Sequence, residues 1–382
     1  MTSTPKPSLS LRERLSFFKS IILIPITIPL VILRHFIFPP ANSPGVKRAV
    51  IQHLLKSILS IPIKQKMALL PEPSTGTSVT KFCSEADPQL NHKLVLLSHD
   101  TNLHLVGPVI EPSTQPNILL FFHGGSYFHS AAPSHIPFAY ACSQSYSTPP
   151  SKTILSVLEY TLSPLASYPK QLQQAITALN HILTLTSPSN IVILGDSAGG
   201  HLATSLLSHV LHPKPNPNTD TNPRLGSVQL KENSKLRGLC LVSPGLSFNL
   251  TTESYTTNAP TDYVSSNSVN DMIINLSPPS LALEDAIKNP QLSPGDAPAM
   301  HWSHLPVSKV LITVGEREVL YSSCVDFAEK LKRAGASVRF VVGEGEWHDA
   351  PVVNAMFGME DVEGGTRRAV MDWMCELAYL DV

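Results

Sequence analysis

A serine flanked by glycines is the first place in this chain where chemistry could occur. Residues 195–199 read Gly-Asp-Ser-Ala-Gly, between the short β-branched run "IVIL" and "HLATSLLSHVL", whose apolar residues recur at helical spacing. The spacing predicts a strand, a tight turn and a helix. Small residues on both sides of Ser197 permit the strained turn that lifts a nucleophilic hydroxyl above a sheet. The alternatives for this turn are a phosphate cradle and an ordinary tight connection.

Glycines that could supply oxyanion donors occur in a second stretch. A serine that attacks a carbonyl needs N–H donors for the oxyanion that forms. The sequence "FFHGGSYF" places Gly124 and Gly125 directly after an apolar run that predicts a strand. Because glycine lets the backbone approach a substrate closely, we expect the N–H groups of Gly124, Gly125 and Ala198 to form an oxyanion hole. A phosphate loop is the competing interpretation, but the chain has no G-x-x-x-x-G-K-[ST] pattern.

A candidate base and a candidate acid follow the serine in the chain. His348 lies in "GEWHDAP", between the last predicted strand and the last predicted helix. A serine becomes nucleophilic when a histidine takes its proton, and an acid orients that histidine. In the chain order serine, acid, histidine, the acid lies before His348 at a strand end. Glu316 and Glu318 follow a predicted strand in "LITVGEREVLYSS". Glu318 is the favoured acid and Glu316 the alternative.

Alternating strand and helix patterns must position these residues. From about residue 91 onwards, apolar runs that predict strands alternate with segments of helical spacing. Such alternation predicts an α/β fold with a mostly parallel central sheet and helices on both faces. Residues 91–382 are therefore expected to form the catalytic domain. Residues from about 244 to 305 lack a clear strand and are expected to form a cap or lid inserted over the strand ends.

The N-terminal segment, residues 1–40, has a different composition. Residues 20–33 carry no charge, and the apolar stretch covers residues 17–38 when the flanking cations are included. A spanning helix needs about 20 apolar residues, so we expect a membrane anchor, spanning or interfacial, that contacts the membrane through residues 17–38. A cleaved signal peptide and a soluble cap helix are the alternatives. Pro25 and Pro29 argue against the cap helix because they would interrupt it.

The composition of the whole chain excludes several kinds of partner. Its 28 Lys and Arg against 29 Asp and Glu give a formal net charge of -1, which offers no general attraction for nucleic acid. The five cysteines lack paired spacing, and no histidine lies in an H-E-x-x-H pattern. We therefore expect no metal and no cofactor. Residues 41–90 mix a short amphipathic stretch with proline-rich connections and are expected to form a linker or a cap-forming region.

Several of these motifs together resemble a known family, the hormone-sensitive-lipase-like branch of the α/β-hydrolases. The resemblance covers roughly residues 90–380 and rests on "HGG" after a strand, "LEYTLSPLASYPKQLQQA", "GDSAGG", "VGEREVL" and "WHDAP". It implies the α/β-hydrolase fold, with Ser197 as nucleophile, His348 as general base and then acid, and Glu318 as the orienting acid. The family's usual acid is aspartate, so Glu318 is a departure from its pattern.

The same resemblance implies oxyanion donors and a narrower relationship. The carried-over donors are the N–H groups of Gly124, Gly125 and Ala198. The third glycine of the family's "HGGG" motif is Ser126 here, a change of little consequence if the main chain supplies the donors. The anchor-like N-terminus is similar to that of fungal-type steryl acetyl hydrolases, which are membrane-tethered members of this family.

These features predict a serine carboxylic ester hydrolase that acts through an acyl-enzyme. The expected substrate is a short acyl group, such as acetyl, on a lipophilic alcohol such as a sterol or terpenoid. An acyltransferase using the same residues and a small-molecule-binding protein that has lost catalysis are the alternatives. Glycosylation sequons at Asn249 and Asn275 favour an endoplasmic reticulum membrane with a luminal catalytic domain.

Overall fold

The computed structural model describes residues 7–38, 45–70, 73–87, 90–110, 114–147, 152–213, 225–359 and 365–379. The strands are β1 (His92–Leu97), β2 (Thr101–Val106), β3 (Ile118–Phe122), β4 (Ile154–Glu159), β5 (Ile191–Asp196), β6 (Leu236–Val242), β7 (Val307–Gly315) and β8 (Val338–Gly343). The helices are α1 (Leu11–Ile37), α2 (Gly45–Leu59), α3 (Ile63–Leu69), α4 (Thr75–Ala86), α5 (His135–Ser145), α6 (Lys170–Leu183), α7 (Ala198–Leu211), α8 (Ser254–Thr257), α9 (Ser266–Leu276), α10 (Leu283–Lys288), α11 (Tyr321–Arg333), α12 (Ala350–Met356) and α13 (Thr366–Ala378).

In the part of the chain that the structure describes, eight strands form one sheet in the order β1-β2-β4-β3-β5-β6-β7-β8. The pairs β1 with β2 and β2 with β4 are antiparallel, and the other five pairs are parallel. Strands β3 and β5 are buried along their whole length, as expected for apolar runs covered on both faces. The mostly parallel sheet confirms the expected α/β fold class.

The side chains of β3 show how the sheet is covered on both faces. Successive side chains on a strand point to opposite faces. Leu119 and Phe121 belong to the core shared with α5 and α13, whereas Ile118, Leu120 and Phe122 belong to the core shared with α6, α7 and α11. Because the six strands from β3 to β8 are parallel to one another, the loops that follow them meet at one edge of the sheet. Open α/β sheets bind ligands at this edge.

Residues 244–305 pack beside this edge. They contain α8, α9, α10 and two short 3-10 turns, and no residue of this fully described range lies in a strand. Two side chains of α2 fasten it to the same segment, since Gln52 Nε2 donates to Pro260 O at 2.8 Å and Lys56 Nζ donates to Ala259 O at 2.7 Å. The N-terminal helices and residues 244–305 therefore contact each other directly.

The N-terminal apolar stretch forms α1, a continuous helix of 27 residues. It runs through Pro25 and Pro29, so the expectation that these prolines would interrupt a cap helix is wrong. Each proline removes one backbone hydrogen bond, and the remaining turns keep the helix continuous below a capping box formed by Ser10 and Glu13. The expected boundary between residues 40 and 41 lies outside the described residues.

Length and composition single out α1 among the helices that the structure describes. It is the one helix there that is long and apolar enough to cross a membrane. A buried core helix would meet the same criterion, but only Phe17 and Ile24 of α1 are buried. A signal sequence near an N-terminus meets it as well, so the helix by itself is weak evidence for an anchor.

Candidate active site

Ser197 lies in the turn between β5 and α7. Its φ of 48° and ψ of -114° are sparsely populated for a residue with a side chain, and such strain persists only where the surroundings enforce it. A Cβ at Gly199 would lie 1.9 Å from Phe122 O, and a Cβ at Gly195 would lie 2.4 Å from Gly199 O. Only glycine fits at these two positions, which explains the glycines two residues before and after the serine. The half-buried Ser197 is held further by its N–H, which donates to Val242 O at 2.9 Å.

His348 connects the serine to a carboxylate. When the His348 ring is neutral, the Ser197 hydroxyl donates to His348 Nε2 at 2.9 Å, and His348 Nδ1 donates to Glu318 Oε2 at 2.9 Å. The tautomer follows from the partner, because an ionised carboxylate only accepts. His348 is 4% exposed and Glu318 is fully buried. The structure therefore brings together the three residues that the sequence singled out as nucleophile, base and acid.

The structure also separates the two candidate acids. Glu318 Oε1 accepts from Ser243 Oγ at 2.6 Å and from Gly315 N at 2.5 Å, which leaves Oε2 directed at the histidine. Glu316, by contrast, accepts from Gly345 N at 2.8 Å in an exposed contact. The side chain that orients His348 is therefore that of Glu318, and the alternative of Glu316 finds no support in the geometry.

Two polar residues that the sequence did not reveal support this arrangement. Ser243, which follows β6, donates to Glu318 and accepts from Asp349 N at 3.1 Å. Asp262 lies in the 244–305 segment and accepts from Val319 N at 2.8 Å. A serine after a strand and an aspartate in an irregular segment carry no sequence signal of their own. They became recognisable only when the fold brought them to the loop between β7 and α11, residues 316–320, which we call the acid loop.

The charges around His348 determine its protonation. Burial alone would lower the pKa of His348, but its hydrogen bond to Glu318 and the negative charges of Glu318 and Asp262 outweigh burial and raise the pKa to about 9. Burial raises the pKa of Asp262 to about 6, against the opposing effect of His348. The environment therefore favours the imidazolium, which is the charged form that a general base becomes after it accepts a proton.

One of the oxyanion donors expected in the loop after β3, residues 123–126, which we call the oxyanion loop, requires a correction. The Gly124 N–H donates to Asp196 Oδ2 at 2.8 Å, so the structure contradicts its assignment as an oxyanion donor. By contrast, Gly125, Ser126 and Ala198 have backbone N–H groups with no acceptor among the described residues. Gly125 and Ser126 adopt φ values of 107° and 55°, which turn the backbone sharply after β3. The unpaired donors thus begin at Gly125, one residue later than the sequence predicts.

A family model described as alpha/beta hydrolase fold matches residues 119–352, more than half of the chain. The chain belongs to the alpha/beta hydrolase fold family. An esterase from Acinetobacter venetianus is 26% identical over 264 residues, which cover 66% of this chain and 73% of that relative. Steryl acetyl hydrolase 1 from Saccharomyces cerevisiae is 29% identical over 104 residues, 26% of this chain and 23% of that protein. Among solved structures, a thermostable esterase from Pseudomonas putida has a TM-score of 0.65 at 19% identity, covering 90% of this chain and all of that one.

These matches confirm the expected hormone-sensitive-lipase-like branch of the family and the expected class of enzyme. The chain is a carboxylesterase-type hydrolase. The family match includes Ser197, Glu318 and His348, the three residues that the fold brings together.

A second polar cluster of the hydrolase lies beneath the oxyanion loop. Asp196, Asp349 and His135 are buried, and one side-chain ligand atom of each lies within 4.8 Å of the others. Oδ1 of each aspartate is buried with no hydrogen-bond partner when both carboxyls are ionised. Burial and the charge of Asp196 raise the pKa of Asp349 well above its usual value, and the two side chains are hydrogen-bonded. A proton on Asp349, shared with Asp196, satisfies both.

The hydrogen bonds of His135 argue against a metal ion in this cluster. His135 Nδ1 accepts from Ala132 N at 2.9 Å, so the neutral ring carries its hydrogen on Nε2. That hydrogen is donated to Asp196 Oδ2 at 3.1 Å, and the nitrogen has no lone pair left for a metal. Asp196 therefore accepts from His135, Gly124 and Asp349, which ties the nucleophile turn to the oxyanion loop and to the loop that carries His348.

Proposed function

We propose that the hydrolase cleaves carboxylic esters through an acyl-enzyme formed on Ser197. The observation that carries this proposal is the continuous path of hydrogen bonds from the Ser197 hydroxyl through His348 to Glu318, with both contacts at 2.9 Å. A strained turn presents the serine at a strand end, and the acid is buried. Nucleophile, base and orienting acid in this geometry are the parts that acyl transfer needs.

In the first half of the reaction, Ser197 Oγ attacks the ester carbonyl carbon as its proton moves to His348 Nε2. The new carbon–oxygen bond forms a tetrahedral intermediate, and the bond to the leaving alcohol then breaks. The alcohol oxygen takes the proton from His348 Nε2, which leaves an acyl-serine. Water repeats these steps on the acyl-serine and releases the carboxylic acid. The Glu318 carboxylate stabilises the imidazolium that forms twice in each cycle.

The oxyanion of each intermediate needs donors that are already in place. We assign this role to the N–H groups of Gly125, Ser126 and Ala198, which have no acceptor among the described residues. Ala198 is the first residue of α7, where the helix dipole also favours negative charge. Removing one such donor typically costs about 100- to 1,000-fold in turnover. Gly124 instead positions the loop through its bond to Asp196.

For the substrate, we propose a short acyl group, such as acetyl, on a lipophilic alcohol such as a sterol or terpenoid. The match to a yeast steryl acetyl hydrolase supports this choice, although it covers only 26% of this chain. The exposed apolar side chains of α1 also support it, because they would hold the enzyme where lipophilic alcohols accumulate. We assign the N-terminal helices α2 and α3 to the same cap as residues 244–305, since α2 is hydrogen-bonded to that segment.

For the location, we propose association with the endoplasmic reticulum membrane and a luminal catalytic domain. The apolar helix α1 and the two sequons support it. Asn275 lies within α9 and donates to Asp271 O at 2.7 Å, so Asn249 is the better candidate for glycosylation. Treatment with an endoglycosidase should increase the gel mobility of the wild type but not of Asn249→Gln. No shift in either protein would count against a luminal domain.

Hydrolysis of a p-nitrophenyl ester series from acetate to palmitate, by detergent-solubilised full-length protein, tests the proposed reaction. We expect turnover to be highest for the shortest acyl groups and to be lost in Ser197→Ala and His348→Ala with the fold intact. Turnover that survives in Ser197→Ala would overturn the acyl-enzyme proposal. A preference for palmitate over acetate would keep the serine hydrolase and exclude the short-acyl substrate.

A further inference from the structure

A cavity of about 830 Å³ lies between α1, α2, the 244–305 segment and the acid loop. Its cationic lining includes Arg34 near the end of α1, Arg48 and Lys56 on α2, and Arg317 in the acid loop, and Glu316 is its one carboxylate. The catalytic serine is not part of this lining. The cavity is therefore a separate, strongly positive site that the proposed esterase reaction does not use.

Three of the cavity's cations have no ion-pair partner in the part of the chain that the structure describes. Among the described residues, no carboxylate lies within the 4.0 Å of an ion pair from Arg34, Arg48 or Lys56. Arg48 packs over the Trp347 ring at 4.5 Å, and its Nη2 is buried without a hydrogen-bond partner. A partly buried guanidinium with an unsatisfied nitrogen is costly. An anion that entered the cavity would remove that cost.

The chemistry of guanidinium groups narrows the class of anion. Arginine forks match the paired oxygens of phosphate and carboxylate. Two apolar side chains of α1, Val31 and Phe38, also line the cavity, so its ligand combines an anionic head with an apolar part. Inorganic phosphate is small and wholly polar, and it would leave most of this volume and both apolar side chains without contact.

The exposed face of α1 supplies the setting for such a ligand. Most of its exposed apolar residues recur every three or four positions and therefore lie along one side of the helix. These are Leu11, Leu15, Phe18, Ile22, Ile26, Leu30, Leu33 and Ile37, while Leu23 and Phe36 are exposed beside this row. Polar contacts hold the helix against its neighbours, with Glu13 bound to Lys64 of α3 at 2.7 Å and Thr27 to His53 of α2 at 2.7 Å. The apolar face and the cationic cavity are thus held in a fixed position relative to each other. Lipid tails and charged headgroups are arranged in the same way, with apolar and charged parts side by side.

We propose that this cavity binds the phosphate of an anionic phospholipid, with Arg34 and Arg48 at the headgroup and the first acyl carbons beside Val31 and Phe38. Binding would place this end of α1 at the level of the headgroups. The acid loop forms part of the wall, and Asn258 of the same wall donates to Glu316 O at 2.9 Å and Glu318 O at 2.8 Å. The lipid would therefore sit close to the loop that orients His348 without occupying the catalytic centre.

Calorimetric titration of the full-length protein in detergent tests this site. Three probes separate the sources of the anion: dihexanoyl phosphatidylglycerol, dihexanoyl phosphatidylcholine and inorganic phosphate. The titrations use the Ser197→Ala background, so hydrolysis of an ester probe contributes nothing and the outcome does not depend on the proposed reaction. We expect phosphatidylglycerol to bind at least about tenfold more tightly than either of the other probes, because only it carries net charge and apolar chains.

Matched charge removals locate the binding. Arg34→Gln and Arg48→Gln should each weaken phosphatidylglycerol binding at least about fivefold. The controls Arg12→Gln and Lys19→Gln remove the same charge from exposed positions of α1 that do not line the cavity, and they should change it less than twofold. Arg34 is exposed, so its variant should fold even if Arg48→Gln does not.

Three results would overturn the proposal. Equal loss in cavity and control variants would mean general surface attraction. Equal affinity for phosphatidylcholine and phosphatidylglycerol would mean that the cations do not select a headgroup with a net negative charge. Equal affinity for inorganic phosphate would mean a small-anion site rather than a lipid site.

Discussion

The catalytic edge of the sheet and the N-terminal face of the hydrolase satisfy their polar groups in opposite ways. At the edge, Glu318 and His348 are buried, and both oxygens of Glu318 and both ring nitrogens of His348 have partners within the chain. On the N-terminal face, α1 exposes apolar side chains and Arg48 keeps a buried nitrogen without a partner. The buried charges of the catalytic edge are therefore paired within the chain, whereas the N-terminal face leaves apolar area exposed and one guanidinium nitrogen without a partner among the described residues.

Removing the charge of the acid should have the largest effect on the catalytic edge. Glu318→Gln keeps the size of the side chain but cannot stabilise the imidazolium, so we expect kcat to fall about 1,000- to 10,000-fold. The matched variant Glu316→Gln changes an exposed contact and should cost no more than about twofold. Steady-state hydrolysis of p-nitrophenyl acetate measures both. Equal losses in the two variants would contradict the assignment of the acid.

The pH dependence tests the same edge without a mutation. His348 must be neutral to accept the serine proton, and its pKa is raised to about 9 against the effect of burial. We therefore expect kcat/KM to rise about tenfold per pH unit below pH 8 and to level off above pH 9. Glu318→Gln removes the partner that raises the pKa, so its rise should move to lower pH. A wild-type profile that is already flat at pH 7 would contradict this charge balance.

The proton shared by Asp196 and Asp349 predicts a smaller effect. Asp349→Asn keeps a donor for Asp196 and should retain kcat within about threefold. Asp349→Leu leaves that buried carboxylate short of a donor, so we expect the free energy of unfolding to fall by about 1–3 kcal/mol. Displacement of the neighbouring His348 should lower kcat about 10- to 100-fold. Urea unfolding and turnover measure both variants, and similar behaviour of Asn and Leu would argue against a shared proton.

The N-terminal face should give the smallest effect on chemistry and a separate effect on membranes. Phe18 and Ile22 lie on the exposed side of α1. The variants Phe18→Gln and Ile22→Gln should therefore change the rate of hydrolysis of soluble p-nitrophenyl acetate less than twofold. Each loses apolar area that a membrane would cover, and partition into phosphatidylcholine vesicles should fall about tenfold or more. Ser16→Gln, also exposed on α1, is the matched control. Unchanged partition in both apolar variants would exclude this face as the contact with lipid.

Local patterns predicted the catalytic edge well because its chemistry depends on short segments. The glycines around Ser197 are required by contacts with neighbouring backbone, and the same glycines formed the sequence motif. The sequence also pointed to His348 and Glu318, since each follows a strand whose apolar run was visible. The choice between Glu316 and Glu318 was open in the sequence, because adjacent positions in a loop differ only in the direction that tertiary packing gives them.

Features set by contacts distant in sequence could not be predicted. The bond from Gly124 to Asp196 joins residues 72 positions apart, and it removed a donor that the motif offered. The roles of Ser243 and Asp262 depend on the path of the chain between strands. Pro25 and Pro29 were expected to interrupt a soluble cap helix, yet α1 is continuous, because its many other backbone bonds outweigh two missing ones.

The central claim is that Ser197 carries the acyl group, and trapping that intermediate tests it most directly. Full-length protein mixed rapidly with p-nitrophenyl acetate and quenched in acid should show an acetyl group on the peptide that contains Ser197. We expect a burst of p-nitrophenol that approaches the enzyme concentration when deacylation is slow, and neither burst nor acetyl group in Ser197→Ala. An acetyl group on another residue, or a burst that persists in Ser197→Ala, would contradict the account.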